Sequence, residues 1–205
     1  ARVAEPMDGA TVSWMRERAF SLNKVLCGSV VISDAGQCFN RFVWATPAGE
    51  LSFYDKRHLF RMANEHQHYA AGQDRVVLEW NGWRICLAVC YDLRFPVWLR
   101  NRGDYDVLLV VANWPAARQV AWQTLLRARA IENQVYCAGV NIVGTDGSAL
   151  RYGGGSVIFG HDGAVLSECG DQPAVITQAL SWRSLSAARE QFPVSLDADT
   201  FTLPT

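Results

Sequence analysis

The sequence predicts a single α/β domain over residues 1–205. Three apolar segments, 83–89, 107–112 and 135–141, have the length and composition of buried strands. A helical segment over 116–133 separates the second strand from the third, and this alternation is typical of a sheet with parallel strands. A chain of 205 residues, of which 50% are hydrophobic, is long enough to bury a substantial core.

The amino-terminal part of the sequence predicts one helix followed by an antiparallel meander. Asp8 or Thr11 is expected to cap a helix that continues to about residue 23, because apolar side chains recur there at helical spacing. Turn residues then separate apolar runs that are rich in β-branched side chains. These runs predict strands at 25–32, 38–45 and 51–54.

Further elements are predicted around the central strands. Asn81-Gly82 predicts a type I′ hairpin between strands 76–80 and 83–89. Phe95-Pro96 predicts a short helix to residue 101, because proline suits the first turn of a helix. Short strands on either side of His161-Asp-Gly163 and a closing helix over 181–191 complete the prediction.

Composition excludes several kinds of partner. The formal net charge of −1 gives no basic field that would attract nucleic acid or an anionic membrane. No apolar run approaches the roughly 18–20 residues of a membrane-spanning helix, and the first residues lack the pattern of a signal peptide. Six cysteines stand singly in apolar segments, which favours reduced thiols. We therefore predict a soluble, cytoplasmic protein that binds neither nucleic acid nor membrane.

Cys90 is the first candidate catalytic residue. It follows the apolar strand 83–89 and precedes the polar Tyr91-Asp-Leu-Arg94. A nucleophile in this position is exposed at the carboxyl end of a strand, where open α/β sheets bind their ligands. Backbone N–H groups beyond it are placed to stabilise an oxyanion. The alternative is a buried structural cysteine, and Cys86, inside the strand, fits that alternative.

Lys56 and Glu65 lie in a long polar segment over 55–72. Long connections of this kind are commonly functional. A lysine held beside a thiolate stabilises both the thiolate and a negatively charged tetrahedral intermediate. Taken alone, each residue is better described as a solvated surface charge, so neither is a catalytic candidate by its own position.

Other cysteine and metal chemistries fit the sequence less well. A papain-like hydrolase requires a characteristic sequence around its nucleophile, which is absent. A cysteine phosphatase requires a loop of N–H groups, and the acid and proline that follow Cys90 suit phosphate poorly. His66-Gln-His68 lacks the further spacing of a zinc site, so no metal and no cofactor are predicted.

Three motifs in this order resemble those of the nitrilase superfamily, carbon–nitrogen hydrolases with a Glu–Lys–Cys catalytic set. They are Asp55-Lys-Arg-His-Leu-Phe60, Cys90-Tyr-Asp-Leu-Arg-Phe-Pro96 and Arg127-Ala-Arg-Ala-Ile-Glu-Asn133. Ala112-Asn-Trp-Pro115 makes the chain most similar to the ω-amidase branch. The resemblance implies the four-layer α-β-β-α sandwich of the superfamily. It also implies a homodimer, with the 116–133 helix as a candidate interface element.

The resemblance assigns a role to each catalytic candidate. Cys90 would attack the carbonyl of a small carboxamide, release ammonia and form a thioester. Lys56 and the backbone N–H of Tyr91 would hold the oxyanion, and Glu65 would support positioning or proton transfer. The implied substrate is 2-oxoglutaramate or 2-oxosuccinamate. The alternatives are an amidase for another acyl group, such as deaminated glutathione or an aliphatic amide, and a non-catalytic family member.

Four further residues are candidates for substrate binding. Arg94, in an ω-amidase, is a natural partner for the α-keto carboxylate, which a guanidinium grips with two hydrogen bonds. A salt bridge from Arg94 to Asp92 or to another acidic residue is the competing interpretation. Phe60, Asn113 and Trp114 are expected to line the substrate pocket.

The sequence departs from the family pattern in two places. The general-base glutamate of the family follows the first sheet strand, upstream of the segment that matches Met7-Asp-Gly9. The printed sequence is therefore expected to lack the first βα unit of the domain, and the general base is expected upstream of Ala1. Glu5 is too close to the Met-Asp-Gly turn to replace it. Gly155 stands where relatives commonly have aspartate, with consequences for loop order or substrate positioning.

Overall fold

Helix and meander form the first part of the chain. The structure is a computed structural model that describes residues 3–203, and it divides into two units between Val76 and Val77. In the first unit, one helix precedes three strands that pair antiparallel in chain order, as predicted. These elements are α1 (Ala10–Leu22), β1 (Leu26–Asp34), β2 (Gln37–Ala45) and β3 (Leu51–Asp55).

The core of this unit lies between α1 and one face of the meander. Val12, Met15 and Ala19 recur at helical spacing and are buried along one side of α1. They form a cluster with Ile32 and Val43, side chains of the first two strands. Periodicity in the sequence therefore identified both the helix and its buried face correctly.

The start of α1 is capped differently from the prediction. Gly9 occupies the N-cap position without a side-chain hydrogen bond, so neither Asp8 nor Thr11 is the cap. Instead, the backbone N–H of Thr11 donates to Glu5 Oε2 at 3.0 Å. Hydrogen bonds from Thr11 hold the pKa of Glu5 below its usual value. The prediction failed because the capping carboxylate comes from outside the helical turn.

A mixed six-stranded sheet dominates the second unit. Its order is β11-β10-β7-β6-β5-β4, and the three central strands run parallel while the outer ones pair antiparallel. The strands of the sheet are β4 (Val77–Trp80), β5 (Trp83–Val89), β6 (Val107–Ala112), β7 (Tyr136–Asn141), β10 (Val157–Phe159) and β11 (Val165–Glu168). A separate hairpin pairs β8 (Val143–Thr145) with β9 (Arg151–Gly153). The parallel centre confirms the predicted α/β class.

Two helices belong to this second unit. Helix α2 (Gln119–Asn133) connects β6 to β7, and a single 3-10 turn, Ala116–Arg118, precedes it. Helix α3 (Trp182–Gln191) begins after Ser181, whose hydroxyl accepts the Ser184 N–H at 3.2 Å. No helix among residues 3–203 is long and apolar enough to cross a membrane.

The local turn predictions had mixed outcomes. Asn81 and Gly82 both adopt positive φ, at 50° and 80°, which confirms the type I′ hairpin. The helix predicted over 95–101 is wrong, because a short 3-10 helix, Cys90–Arg94, comes before it instead. Phe95 has ψ 89°, since a residue that precedes proline avoids the helical region.

Candidate active site

Cys90 has an unusual backbone conformation at the carboxyl end of β5. Its φ is 49°, whereas Val89 before it is extended at φ −123°. A side chain other than glycine in the left-handed region costs on the order of 1–2 kcal/mol. Such a sharp turn directs the half-buried thiol away from the strand direction, and the surrounding structure must hold the strain.

Two hydrogen bonds fix the turn on either side of Cys90. The carboxylate of Asp92 is fully buried, and its Oδ2 accepts the Val89 N–H at 3.0 Å. Beyond the turn, Arg129 Nη2 on α2 donates to the Leu93 carbonyl at 2.8 Å. The backbone before and after Cys90 is therefore anchored to buried polar groups.

The third family motif, on α2, has a structural role around this turn. Arg129 is 3% exposed and also pairs with Glu132 at 2.7 Å. The Glu132 carbonyl accepts Arg100 Nη1 at 3.0 Å, and Asn133 Oδ1 accepts the Asn101 N–H at 2.8 Å. The motif thus binds the segment that leaves the Cys90 turn.

A carbonyl from the end of β6 contacts the thiol. Cys90 Sγ lies 4.0 Å from the Asn113 carbonyl oxygen, the outer range of a hydrogen bond to sulfur. Tyr91, whose backbone N–H was the predicted oxyanion donor, follows directly, and its ring packs edge-on against Phe95 at 5.0 Å. The helix that begins at Cys90 has only five residues, too few for a substantial helix dipole at this turn.

Trp114 and Arg94 lie together next to this carbonyl. Trp114 is buried, and its indole Nε1 donates to the Arg118 carbonyl at 2.9 Å. The exposed Arg94 guanidinium lies 5.2 Å from the centre of the Trp114 ring, within cation–π range. The Asp92 carboxylate, one salt-bridge partner considered for Arg94, accepts the Val89 N–H through Oδ2. The salt bridge of Arg94 stays a prediction.

Asn141, at the end of β7, is a site residue that the sequence analysis missed. Its side chain accepts the Trp114 N–H at 2.7 Å and donates to the carbonyls of Trp114 at 3.1 Å and Gly154 at 2.8 Å. The available signal was a polar residue that ends an otherwise apolar strand next to the strand of Asn113.

Gly155, the position of the second departure, has a conformation and surroundings that favour glycine. Its φ is 67°, and an added Cβ would lie 2.1 Å from Gln119 Nε2. Trp122 and Gln123 of α2 each donate to the Gly155 carbonyl at 2.9 Å. Side chains of α2 thus occupy the space that an aspartate here would need.

Lys56 and Glu65 form a buried pair in the first unit. Lys56 Nζ lies 2.9 Å from Glu65 Oε1 and 2.6 Å from Oε2, and the lysine side chain is 1% exposed. Glu65 Oε2 also accepts the Phe60 N–H at 2.8 Å, which fixes the carboxylate from a second direction. The structure therefore rejects the interpretation of Lys56 as a solvated loop residue.

The backbone of Lys56 is held as firmly as its side chain. Its N–H donates to the Asn40 carbonyl at 3.0 Å, and its carbonyl accepts the Gly72 N–H at 2.9 Å. The carboxylate of Asp55, one residue earlier, accepts a hydrogen bond from Arg41 Nε at 2.7 Å. These bonds leave Lys56 Nζ little freedom to move.

Each of the two units contains some of the predicted site residues. In the first unit, Lys56 and Glu65 pair, with Phe60 bonded to the carboxylate through its backbone. In the second unit, the residues that the structure brings around the thiol are Cys90, Tyr91, Arg94, Asn113 and Trp114. A strained thiol, an acceptor carbonyl and a cation suit nucleophilic attack on a polar, anionic substrate.

Comparison with protein families identifies the class of protein. The model of the carbon-nitrogen hydrolase family matches residues 1–190. Since the match extends over most of the chain, the protein belongs to the carbon-nitrogen hydrolase family, the nitrilase superfamily. The family resemblance and the α/β fold predicted for it are confirmed.

Individual proteins show which members of this family the chain is similar to. The chain is 51% identical to the omega-amidase YafV of Escherichia coli K12, over 94% of this chain and 75% of that protein. It is 32% identical to a 2-oxoglutaramate amidase of Bacillus subtilis, over 89% of this chain and 71% of that one. A crystal structure of XC1258 from Xanthomonas campestris, a CN-hydrolase superfamily protein with an arsenic adduct in its active site, matches with a TM-score of 0.96. That protein is 51% identical, and the match covers 98% of this chain and 79% of the other.

Proposed function

We propose that the protein is an ω-amidase that hydrolyses 2-oxoglutaramate or 2-oxosuccinamate to the dicarboxylate and ammonia. The observation that carries the proposal is the strained thiol of Cys90, at the end of β5, in a chain that is 51% identical to a named omega-amidase. A thiol fixed in this way is suited to covalent catalysis on an amide.

The first half of the reaction forms a thioester. Cys90 Sγ attacks the amide carbonyl carbon, an S–C bond forms, and the carbonyl oxygen becomes an oxyanion. Lys56 Nζ and the Tyr91 N–H stabilise this oxyanion, in keeping with the roles that the family resemblance assigns to them. The C–N bond then breaks, and the nitrogen leaves as ammonia after it takes up a proton.

The second half of the reaction regenerates the enzyme. Water adds to the thioester carbonyl while a base removes its proton, the C–S bond breaks, and a carboxylate and the Cys90 thiol result. The family resemblance assigns the role of this base to a glutamate. Glu5 has no such role in the proposal, because its carboxylate accepts the Thr11 N–H at 3.0 Å.

Glu65 is proposed to position Lys56 and to assist proton transfer. Both of its oxygens contact Lys56 Nζ, at 2.9 and 2.6 Å, so the amino group is held in a fixed orientation. Phe60, which anchors the Glu65 carboxylate through its backbone N–H, is proposed to line the substrate pocket.

Arg94 is proposed to bind the α-keto carboxylate of the substrate. Its guanidinium is exposed and stacked over Trp114, so two of its edges remain available for a bidentate contact. Asn113 and Trp114 are proposed to form the adjoining wall. This arrangement favours an amide substrate that carries a negative charge over the aliphatic amides of the alternative hypothesis.

A substrate panel tests this proposal. Ammonia release is measured with 2-oxoglutaramate, 2-oxosuccinamate, deaminated glutathione and propionamide, for the wild type and for Arg94→Ala. We expect the 2-oxo acids to be the best substrates, and Arg94→Ala to lower kcat/KM for them about ten- to a hundredfold while sparing propionamide. An equal loss on propionamide would exclude the carboxylate role of Arg94, and no ammonia from any amide would exclude the amidase.

The finer predictions about organisation remain part of the proposal. The family match spans residues 1–190, so it supports one carbon-nitrogen hydrolase domain rather than two. A homodimer is proposed with α2 as an interface element, since Val120 and Ile131 on this helix are exposed at 81% and 49%. Light scattering after size-exclusion chromatography would test the dimer.

The cytoplasmic location stays a prediction. It is supported by the free thiols of Cys27, Cys38, Cys137 and Cys169.

A further inference from the structure

We propose that Asn141 is a positioning residue that orients the Cys90 thiol through the Asn113–Trp114 peptide group. The inference rests on the proposed function only in taking Cys90 as the nucleophile. It concerns a buried amide that none of the family motifs named above contains.

The side chain of Asn141 is fully engaged with backbone groups. The residue is 7% exposed, and its Oδ1 accepts the Trp114 N–H at 2.7 Å. Its Nδ2 donates to the Trp114 carbonyl at 3.1 Å and to the Gly154 carbonyl at 2.8 Å. The Asn141 side chain therefore bonds both backbone polar groups of one residue, Trp114, in the loop that follows β6.

The geometry of the peptide bond carries this constraint to the thiol. The Trp114 N–H and the Asn113 carbonyl belong to the same planar peptide group and point in opposite directions. When Asn141 fixes the N–H, it also fixes the direction of the carbonyl. That carbonyl oxygen is the one that lies 4.0 Å from Cys90 Sγ.

The constraint acts on the torsional freedom that the thiol keeps within the turn. The backbone of Cys90 is held at φ 49° by the bonds around the turn, so rotation about the Cα–Cβ bond is the main remaining freedom of Sγ. An acceptor carbonyl on one side favours the rotamer that points the S–H toward it. The Trp114 N–H bond to Asn141 also polarises the peptide group and strengthens the carbonyl as an acceptor.

Backbone pairing between β6 and β7 does not by itself fix the direction of the Asn113 carbonyl. Pairing between β6 and β7 ends at Ala112 and Asn141, and the Ile142 N–H still reaches the Ala112 carbonyl at 3.4 Å. Asn113 and Trp114 lie beyond this ladder and before the isolated backbone bridge between Pro115 and Tyr152, and the Asn141 side chain bonds the peptide group between them. The Asn141 side chain extends the order of the sheet by two residues, up to the thiol.

Two variants and a matched control test the proposal. Asn141→Ala removes every side-chain contact, whereas Asn141→Asp keeps an acceptor for the Trp114 N–H. The control is Tyr136→Phe, because Tyr136 is another buried polar residue of β7 whose side chain bonds backbone, at Ser181, without contact to the 113–114 peptide. Alkylation of the Cys90 peptide by iodoacetamide is followed from pH 6 to pH 10 by mass spectrometry, roughly the range in which thiols ionise, with the Cys169 peptide as an internal reference.

We expect Asn141→Ala to lower kcat about ten- to a hundredfold with KM changed less than about threefold, because the nucleophile loses its alignment. A hydrogen bond to the neutral thiol disfavours the thiolate, so its loss should move the Cys90 alkylation profile about 0.5–1 unit to lower pH. Asn141→Asp should not move the profile to lower pH. Tyr136→Phe should lose stability but keep the wild-type profile.

Several results would overturn the proposal. A wild-type profile and kcat in folded Asn141→Ala would show that the amide does not act on the thiol. An equal shift in Tyr136→Phe would show general loosening rather than positioning. Should Asn141→Ala fail to fold, a shift of the Asn141→Asp profile to lower pH would contradict the proposal. Alkylation needs no amide substrate, so this outcome is independent of whether the ω-amidase assignment holds.

Discussion

At the scale of single residues, the backbone separates Cys90 from the other cysteines. Among residues 3–203 it is the one cysteine with positive φ. Burial raises the pKa of Cys27 to about 11, and burial also raises the pKa of Cys137, so both stay protonated near neutral pH. Strain at Cys90 is the expected mark of a residue whose position serves the reaction rather than stability.

This strain makes a prediction that compares two substitutions of Cys90. Cys90→Ala and Cys90→Gly should both abolish ammonia release, because each removes the nucleophile. Glycine adopts positive φ without steric cost, so Cys90→Gly should be about 1 kcal/mol more stable than Cys90→Ala in urea denaturation. Equal stability of the two variants, or a more stable alanine, would show that the left-handed turn stores no strain.

A second prediction at this scale concerns Lys56, which shares the chain with only one other lysine, Lys24. Lys56→Met should lower kcat by about 10²–10³, the usual loss when one oxyanion donor is removed. Lys24 is exposed, and Lys24→Met should leave kcat unchanged. Initial rates of ammonia release check both, with circular dichroism to confirm folding. If Lys56→Met were folded and fully active, Lys56 would have no catalytic role.

At the scale of elements, α2 supports the nucleophile through Arg129. Arg129→Lys cannot reach both the Leu93 carbonyl and Glu132 with the two-pronged geometry of a guanidinium. We expect it to destabilise the protein by about 1–3 kcal/mol, the cost of an unpaired buried group, and to lower kcat as well. Arg127→Lys, on the exposed face of the same helix, is the control. A loss of about 1 kcal/mol shifts Tm by about 2–4 °C. If the melting temperatures of the two variants lay within about 1 °C of each other, Arg129 would have no role in supporting the turn.

The elements were predicted from the sequence where local rules decide them. Apolar periodicity identified α1 and the meander, and Asn81-Gly82 identified the hairpin, because both signals depend on neighbouring residues. The helix after Phe95 was mispredicted, since the residue before a proline avoids the helical region and this effect outweighed the preference of proline for a first turn. Strands β8 and β9 were missed because each has three residues and shows no periodicity.

The site was predictable only as far as the motifs reach. Cys90 and Lys56 were predicted because they lie in motifs with a recognisable order, and Glu65 was predicted as a family glutamate near the lysine. Asn141 was missed because its importance comes from hydrogen bonds to Trp114 and Gly154, residues 27 and 13 positions away. Pairings of this kind depend on tertiary structure, which a single sequence does not reveal.

At the scale of the whole molecule, a buried carboxylate joins α3 to the large sheet. Asp106 is fully buried and lies 2.7 Å from both Arg84, on β5, and Arg189, on α3. Burial alone would raise the pKa of Asp106, but hydrogen bonds from the two arginines outweigh it and hold the pKa below its usual 3.8. The ionised form is therefore the one that stabilises the fold.

This pKa shift predicts a stability change in acid. A carboxyl group whose pKa is lowered by folding contributes stability above its unfolded pKa of 3.8, and this stability is lost as pH falls through the lower folded value. Asp106→Asn should therefore be less stable than the wild type at pH 7, and the difference should narrow below pH 3.8. Urea midpoints between neutral and acidic pH check this, and a difference that does not change with pH would contradict it.

The central claim is that Cys90 carries the acyl group of an amide substrate. The most direct measurement is mass spectrometry of the protein quenched in acid during turnover of 2-oxoglutaramate, followed by digestion. The account predicts an acyl adduct, the substrate less ammonia, on the peptide that contains Cys90, and no adduct in Cys90→Ala. An adduct on another cysteine, or steady ammonia release by Cys90→Ala, would contradict it.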